Sequence, residues 1–297
     1  MARPPEPLPD HLRGRAFGLG EARGVSEKRL RAGDLWAPAY GVRLPRGMDD
    51  MAAQLRARLC RLPDGATLSH ATAALLWGLP LPLRLSWDGS VHITTPSGTR
   101  ARRGRGVTGY QRNLPPTDQV RLGDVPCTGL IRTFCDLAEI LTLAELVAVG
   151  DALISPAGKA VPLEALVAGI ERPRATRTKL RSAVALLDAA SESPKESELR
   201  VLLIQHGIAG LVCQVKVRDE NGFIVGRVDL AIPRLKIAIE YEGDHHREKG
   251  QWRRDQRRRR ALEALGWVYI HVTQADLDDP RQLLADLRVA IRRQTSR

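Results

Sequence analysis

Three carboxylates at the ends of two short apolar runs are the groups in this chain with the most chemistry to offer. The first run, Arg227-Val228-Asp229-Leu230-Ala231-Ile232, carries Asp229, and the second, Lys236-Ile237-Ala238-Ile239-Glu240-Tyr241-Glu242-Gly243, closes on Glu240 and Glu242. Alternate residues of a strand share a face, so Ile237, Ile239 and Tyr241 point into a core while Ala238, Glu240 and Glu242 share the other side. Pro233-Arg234-Leu235 supplies a turn, and pairing of the two runs as a hairpin brings Asp229 within a rung or two of Glu240. Like charges this close repel unless a cation lies among them. Hard oxygen donors suit Mg2+ or Mn2+, and such an ion polarises a phosphoryl oxygen and lowers the pKa of bound water. The competing reading is a set of solvated carboxylates on the open face of a hairpin.

The elements around the cluster decide between these readings. Asp244-His245-His246-Arg247 follows directly, and Gln251 to Leu265 reads as a helix ended by Gly266. Helical spacing aligns Asp255, Arg258, Leu262 and Leu265 on one side, so the first two continue the apolar stripe towards the sheet as an inward polar pair. Arg253, Arg254, Arg257 and Arg260 then spread outward. Guanidinium forks match phosphate oxygens, which suits Arg253, Arg254 and Arg257 to a nucleic-acid backbone. Val268 to Val272 is a further strand, and a closing helix is expected from Pro280 onward. Upstream, Ser193-Pro194-Lys195-Glu196 is a helix start, with Ser193 as cap and Pro194 at the first helical position. Glu196 has two readings there: a capping-box partner of Ser193, or an acid leaning back towards the carboxylates. With strands at Cys213 to Arg218 and Phe223 to Ile232, the predicted order is helix, three-strand meander, helix, strand, helix.

From Ser193 to about Leu277 the chain resembles the PD-(D/E)XK nuclease superfamily, in particular the endonuclease-like domains close to very-short-patch mismatch repair endonucleases. The pieces that carry the resemblance are the Ser-Pro-x-Glu-Ser helix start, Gly226-Arg227-Val228-Asp229-Leu230, Glu240-Tyr241-Glu242-Gly243, His245-His246-Arg247, Trp252-x-x-Asp255-x-x-Arg258 and Gly266-Trp267. The resemblance implies that Asp229 and Glu240 bind the metal, that Glu196 is an additional acid, and that His246 transfers a proton or contacts the leaving group. Glu242 stands where the superfamily has lysine; Lys216 and Lys236 on neighbouring strands are the available substitutes.

Phe17 to Leu44 reads as a helix ending near Gly24, a second helix from Ser26 to Ala32 stopped by Gly33, and a two-strand wing around Pro38. That is a small winged helix-turn-helix pattern, with Lys28, Arg29 and Arg31 on or beside the helix that would face the major groove. This stretch resembles the N-terminal domain of abortive-infection type IV antitoxins. Leu68 to Pro80 and Ile131 to Ala138 fit the same kind of protein; the latter opens a helical region ending near Ile154. His70 and Trp77 are expected to face a core or cap a helix. Arg100 to Arg105, between strands at Val91–Thr95 and Val107–Gln111, is either a basic loop near DNA or a surface hairpin.

The expected fold class is therefore α/β (α+β) multidomain: residues 1–47 a winged helix-turn-helix, 48–190 an antitoxin-like α/β middle domain, and 191–297 a PD-(D/E)XK endonuclease-like domain. Breaks are expected near Met48 to Leu62 and in Glu171 to Ser193, where Pro, Ser, Thr and charge concentrate. A length of 297 residues is enough for two or three such cores. A net charge of +12 and an isoelectric point near 10.2 favour a polyanionic partner, either nucleic acid or an acidic membrane surface, and DNA is the partner expected. No apolar stretch reaches membrane-spanning length, and the Pro- and Arg-rich start lacks a secretory segment. Cys60, Cys127, Cys135 and Cys213 are scattered singly, which fits a reducing cytoplasm. Two function classes stay open: a Mg2+- or Mn2+-dependent DNA endonuclease, and a non-catalytic DNA-binding regulator of the antitoxin type with a toxin partner or as a homodimer.

Overall fold

The computed structural model describes residues 4–38, 40–48, 51–59, 62–99, 106–172, 174–243 and 249–296, with the side chains of residues 52 and 249–256 outside the description. The fold is mixed α/β and divides into two compact units, Met1–Asp136 and Leu137–Arg297. Among the described residues no helix is long and apolar enough to cross a membrane.

The first unit begins with a three-stranded sheet of β1 (Phe17–Gly18), β2 (Leu35–Trp36) and β3 (Val42–Pro45), in the order β1-β3-β2, with α1 (Glu27–Leu30) between β1 and β2. The helix expected to end near Gly24 is not formed. Phe17 instead pairs with Arg43 across β3, its ring is fully buried against Leu8, Leu12, Ala22 and Leu35, and the chain then turns through Gly24 at φ +85°. The second helix does form, capped by the Ser26 side chain accepting from the Arg29 amide at 3.2 Å, but it lasts a single turn.

Between 48 and 62, where a break was expected, α2 (Met51–Leu59) buries Leu55 against Leu68, Val91 and Ile93. β4 (Thr67–Leu68), α3 (His70–Trp77), β5 (Val91–Thr95), β6 (Val107–Gln111), β7 (Gln119–Leu122) and β8 (Val125–Thr128) follow, and α4 (Leu130–Leu137) closes the unit. The five strands form one sheet in the order β6-β5-β4-β8-β7. His70 and the Trp77 indole behave as core groups: His70 is fully buried and stacked on Tyr110 at 3.5 Å, and the indole donates to the Thr128 carbonyl at 2.9 Å.

The second unit starts with α5 (Leu143–Ile154), α6 (Leu163–Ile170) and α7 (Arg177–Val184), so the span 171–193 also holds a helix. α8 (Pro194–Gln205), β9 (Val212–Arg218), β10 (Ile224–Ile232), β11 (Ile237–Tyr241), α9 (Lys249–Ala264), β12 (Val268–Val272), α10 (Gln274–Asp278) and α11 (Arg281–Thr295) complete it. The sheet order is β12-β11-β10-β9: an antiparallel meander to which β12 adds in parallel after the α9 crossover. One face packs Leu230, Ile232, Ile237 and Ile239 on Leu199 and Leu203 of α8 and on Leu283, Leu284 and Leu287 of α11. The other packs Val217, Val228, Ala231 and Ala238 on Leu262 of α9. A buried ion pair, Arg200 Nη2 to Asp151 Oδ2 at 2.6 Å, joins α8 to α5, and Ser197 donates to the same oxygen at 2.6 Å.

Candidate metal centre

Asp229 owes its position to an interruption of the sheet. Val228 packs towards α9 whereas Leu230 packs towards α8 and α11, so the regular alternation of β10 breaks between them. Both neighbouring strands mark the same point. On β9 the register Val228↔Val215 and Leu230↔Cys213 puts Gln214 opposite Asp229, and Gln214 has φ +53°, a left-handed conformation that costs energy for a side chain of its size. On β11 the ladder stops at Leu230↔Ile239, one rung short of Asp229 and Glu240. Where that rung is missing, the Tyr241 amide donates to Asp229 Oδ2 at 3.1 Å.

Glu240 is 7 % exposed. Its Oε2 accepts from Arg258 Nη2 of α9 at 2.6 Å and from the Tyr269 hydroxyl of β12 at 2.6 Å. Among the described residues its Oε1 is buried with no hydrogen-bond partner, a costly condition for a carboxylate oxygen. The expected inward turn of Arg258 is met: its guanidinium also donates to the Arg227 carbonyl at 2.9 Å. Burial pushes the Tyr269 hydroxyl pKa up, and its bond to Glu240 adds to the effect.

Glu196, also 7 % exposed, combines parts of both readings given to it. Ser193 caps α8 by accepting from the Glu196 amide at 3.2 Å. The Glu196 carboxylate does not return to Ser193 but accepts from the Glu192 amide at 3.1 Å and from Gln214 Nε2 at 2.8 Å. It therefore lies where its charge acts on Asp229.

The electrostatic result is a carboxyl group pushed far from its ordinary range. Asp229 is pushed up to about 7, first by burial, then by the charge of Glu196 and of Glu240, against the opposing Tyr241 amide and Arg258. Glu242 takes a different direction. Its amide donates to the Val272 carbonyl at 2.7 Å and its carboxylate meets His271 Nε2, so it joins β11 to β12. Lys236, one of the two possible lysine substitutes, donates to the Leu265 carbonyl at 3.0 Å at the end of α9. Lys216 is exposed on β9, in register with Arg227. Asp229, Glu240 and Glu196 offer only oxygen donors, the chemistry a hard divalent cation takes, and among the described residues Glu240 Oε1 is buried without a partner, but the ligand atoms of all three do not lie within 4.8 Å of one another.

Two proteins of Mycobacterium tuberculosis, from the CDC 1551 / Oshkosh and H37Rv strains, are each 28 % identical to this chain over 266 residues, covering 89 % of it and 92 % of their own length; both are uncharacterized. No family model matches the chain, and no solved structure matches it.

The basic residues separate into exposed and engaged groups. Arg257 and Arg260 of α9 are exposed. Arg259, also exposed, pairs with Glu263 at 2.8 Å and lies 5.3 Å from the Tyr269 ring. The side chains of Arg253, Arg254 and Asp255 lie outside the described residues, as do His245, His246 and the Arg100 to Arg105 run. In the first unit Lys28 is exposed and Arg31 pairs with Glu27 at 2.9 Å. Arg29 is a correction to the expected DNA-facing set: it is 7 % exposed, forks onto Asp34 at 2.9 and 2.7 Å, and donates to the Glu6 carbonyl. Its direction is set by the strands that follow α1 rather than by helical spacing.

Three residues of the centre escaped the sequence reading. Tyr269 reaches Glu240 through the parallel register Ala238↔Tyr269, which no local pattern announces. Gln214 holds Glu196 from an irregular position on β9. Glu192 forks onto Arg227 at 2.6 and 2.7 Å beside them. The only local signal for this last pair is two opposite charges close to the two acids.

Proposed function

We propose that this chain is a DNA-binding protein whose second unit carries a Mg2+- or Mn2+-dependent endonuclease centre of the PD-(D/E)XK type. The observation that carries the reading is the set of buried Glu240 and Glu196 with half-buried Asp229, in which Asp229 is pushed up to about 7 and Glu240 Oε1 has no partner among the described residues. The order of helix, antiparallel meander, crossover helix and parallel strand supports it, because β10 and β11 are neighbours in the sheet and α8 packs on one of its faces. Asp229 and Glu240 would hold the ion, with Glu196 as the additional acid. When bound, the ion would polarise a phosphodiester oxygen and acidify a water. Arg257 and Arg260, exposed on α9, would hold the DNA backbone. The cytoplasm is the compartment this reading implies.

A second reading keeps the DNA and drops the chemistry: a regulator related to type IV antitoxins, with a toxin partner or a second copy of itself. Glu242 favours it, because a carboxylate engaged by His271 stands where a lysine would assist the attacking water. Incubating the purified protein with plasmid, linear and mismatched DNA plus Mg2+ or Mn2+, beside Asp229→Ala and Glu240→Ala, separates the two. Metal-dependent nicking lost in both variants is the expected result. Binding without cleavage under either metal selects the regulator, and cleavage untouched by both substitutions removes this centre.

A further inference from the structure

Glu240 is held in an unequal way. Both of its described donors, Arg258 Nη2 and the Tyr269 hydroxyl, converge on Oε2 at 2.6 Å each, while Oε1 is equally buried and receives none. Two strong donors on one oxygen fix the rotation of the carboxyl plane and leave the lone pairs of the other oxygen open. Each donor is itself secured. The Tyr269 ring belongs to the apolar cluster under α9 and has the Arg259 guanidinium 5.3 Å from its centre. Arg258 is anchored at its other terminal nitrogen by the Arg227 carbonyl, and its stem crosses Gly226, where a Cβ would stand 3.0 Å from Cγ and 3.2 Å from Cδ. Both donors bond the same oxygen of Glu240 and so act through it.

We propose that Tyr269 and Arg258 are positioning residues that clamp Glu240 by Oε2 so that Oε1 is presented to a divalent cation. The inference rests on the metal-centre reading above and extends it to residues of α9 and β12. Partners of this kind orient the ligand that binds the metal, and their loss weakens metal binding by about 10- to 100-fold. The clamp would also account for a basic side chain beside the acids, because Arg258 offsets the charge of Glu240 at Oε2 and leaves Oε1 open.

The test titrates Mn2+ into the full-length protein and reads free ion by electron paramagnetic resonance, for the wild type, Tyr269→Phe, Arg258→Lys and Asp229→Asn, with thermal unfolding of each metal-free protein alongside. Tyr269→Phe removes one hydroxyl and keeps the ring packing and the net charge. Arg258→Lys keeps the charge but cannot span both Glu240 and the Arg227 carbonyl. The expected result is Mn2+ affinity about 10-fold weaker in both variants, with unfolding midpoints close to wild type for Tyr269→Phe. Wild-type affinity in both variants overturns the clamp while the metal centre stands, provided that Asp229→Asn has lost binding. No Mn2+ binding by the wild type overturns the metal centre and the clamp with it.

Discussion

Arg258 passes so close to Gly226 that a Cβ there would lie 3.0 Å from its Cγ, on the strand that carries Asp229 three residues further on. Gly226 is buried and its conformation is not left-handed, so the requirement for glycine is one of space. Because the Arg258 head is tied to the Arg227 carbonyl and to Glu240, the stem cannot move aside without lengthening one of those bonds. Gly226→Ala is therefore expected to destabilise the protein by about 1–2 kcal/mol, the scale of modest overpacking. The check is a lower urea midpoint with an unchanged slope.

The raised pKa of Asp229 gives the metal-free protein a defined pH response. The carboxyl group moves from an ordinary value of 3.8 to about 7 on folding, so between those values the native state holds a proton that the unfolded chain has released. Stability from this group is fully present below the ordinary aspartate pKa and is lost as pH rises through about 7. Asp229→Asn keeps an oxygen to accept from the Tyr241 amide and removes the charge. At about pH 8 without metal the variant should be more stable than the wild type by about 1–2 kcal/mol, a value discounted for solvent screening of a half-buried group. The advantage should shrink towards acid pH and be offset in the wild type by Mg2+ or Mn2+. A variant that is less stable at every pH would contradict the buried-charge argument.

How far the centre could be read in the sequence depends on the range of the interactions that build it. The alternation of Ile237, Ile239 and Tyr241 against Ala238 and Glu240 is a two-residue period, and the strand buries those residues on the faces it indicates. Arg258 was legible for the same reason: it continues the stripe of Leu262 by helical spacing. Tyr269 and Gln214 were not, because their roles arise from a crossover and from a break in strand geometry opposite Asp229, and neither leaves a periodic trace. Glu242 shows the limit of alternation. It follows Glu240 by two positions, yet it lies beyond the last rung of β11 and meets His271 instead. In the first unit the pattern around Phe17 suited a helix, but burial of its ring beside β3 outweighed local propensity.

Arg29 and Lys28 are neighbours on α1 with opposite consequences. Arg29 is buried and forks onto Asp34, whereas the Lys28 side chain is exposed. Arg29→Met leaves the Glu6 carbonyl without this donor and Asp34 without its partner. Since Asp34 is 43 % exposed and stays hydrated, the cost should be about 2 kcal/mol, below that of breaking a fully buried pair. Lys28→Ala should leave the unfolding midpoint unchanged. The measurement is thermal unfolding beside DNA affinity. A stable Arg29→Met protein with weakened DNA binding would return Arg29 to the proposed DNA-facing set.

On the proposed DNA-binding reading, Arg257 and Arg260 are the first candidates for a backbone contact, because they are exposed on the same helix that carries Arg258 to Glu240. Arg259, between them, is already committed to Glu263 and the Tyr269 ring. A cation that neutralises a phosphate releases a condensed counterion, so each such contact contributes about 0.9 to the slope of log affinity against log salt concentration on duplex DNA. Arg257→Gln and Arg260→Gln should each lower that slope by about 0.9 and weaken binding alike across unrelated sequences. Arg259→Gln should change it less, since that guanidinium must first leave Glu263. Fluorescence anisotropy of a labelled duplex over a salt series measures all three. Slopes equal to wild type for Arg257→Gln and Arg260→Gln would move the DNA away from this face of α9, and a larger loss for Arg259→Gln would reverse the assignment of which arginine is committed.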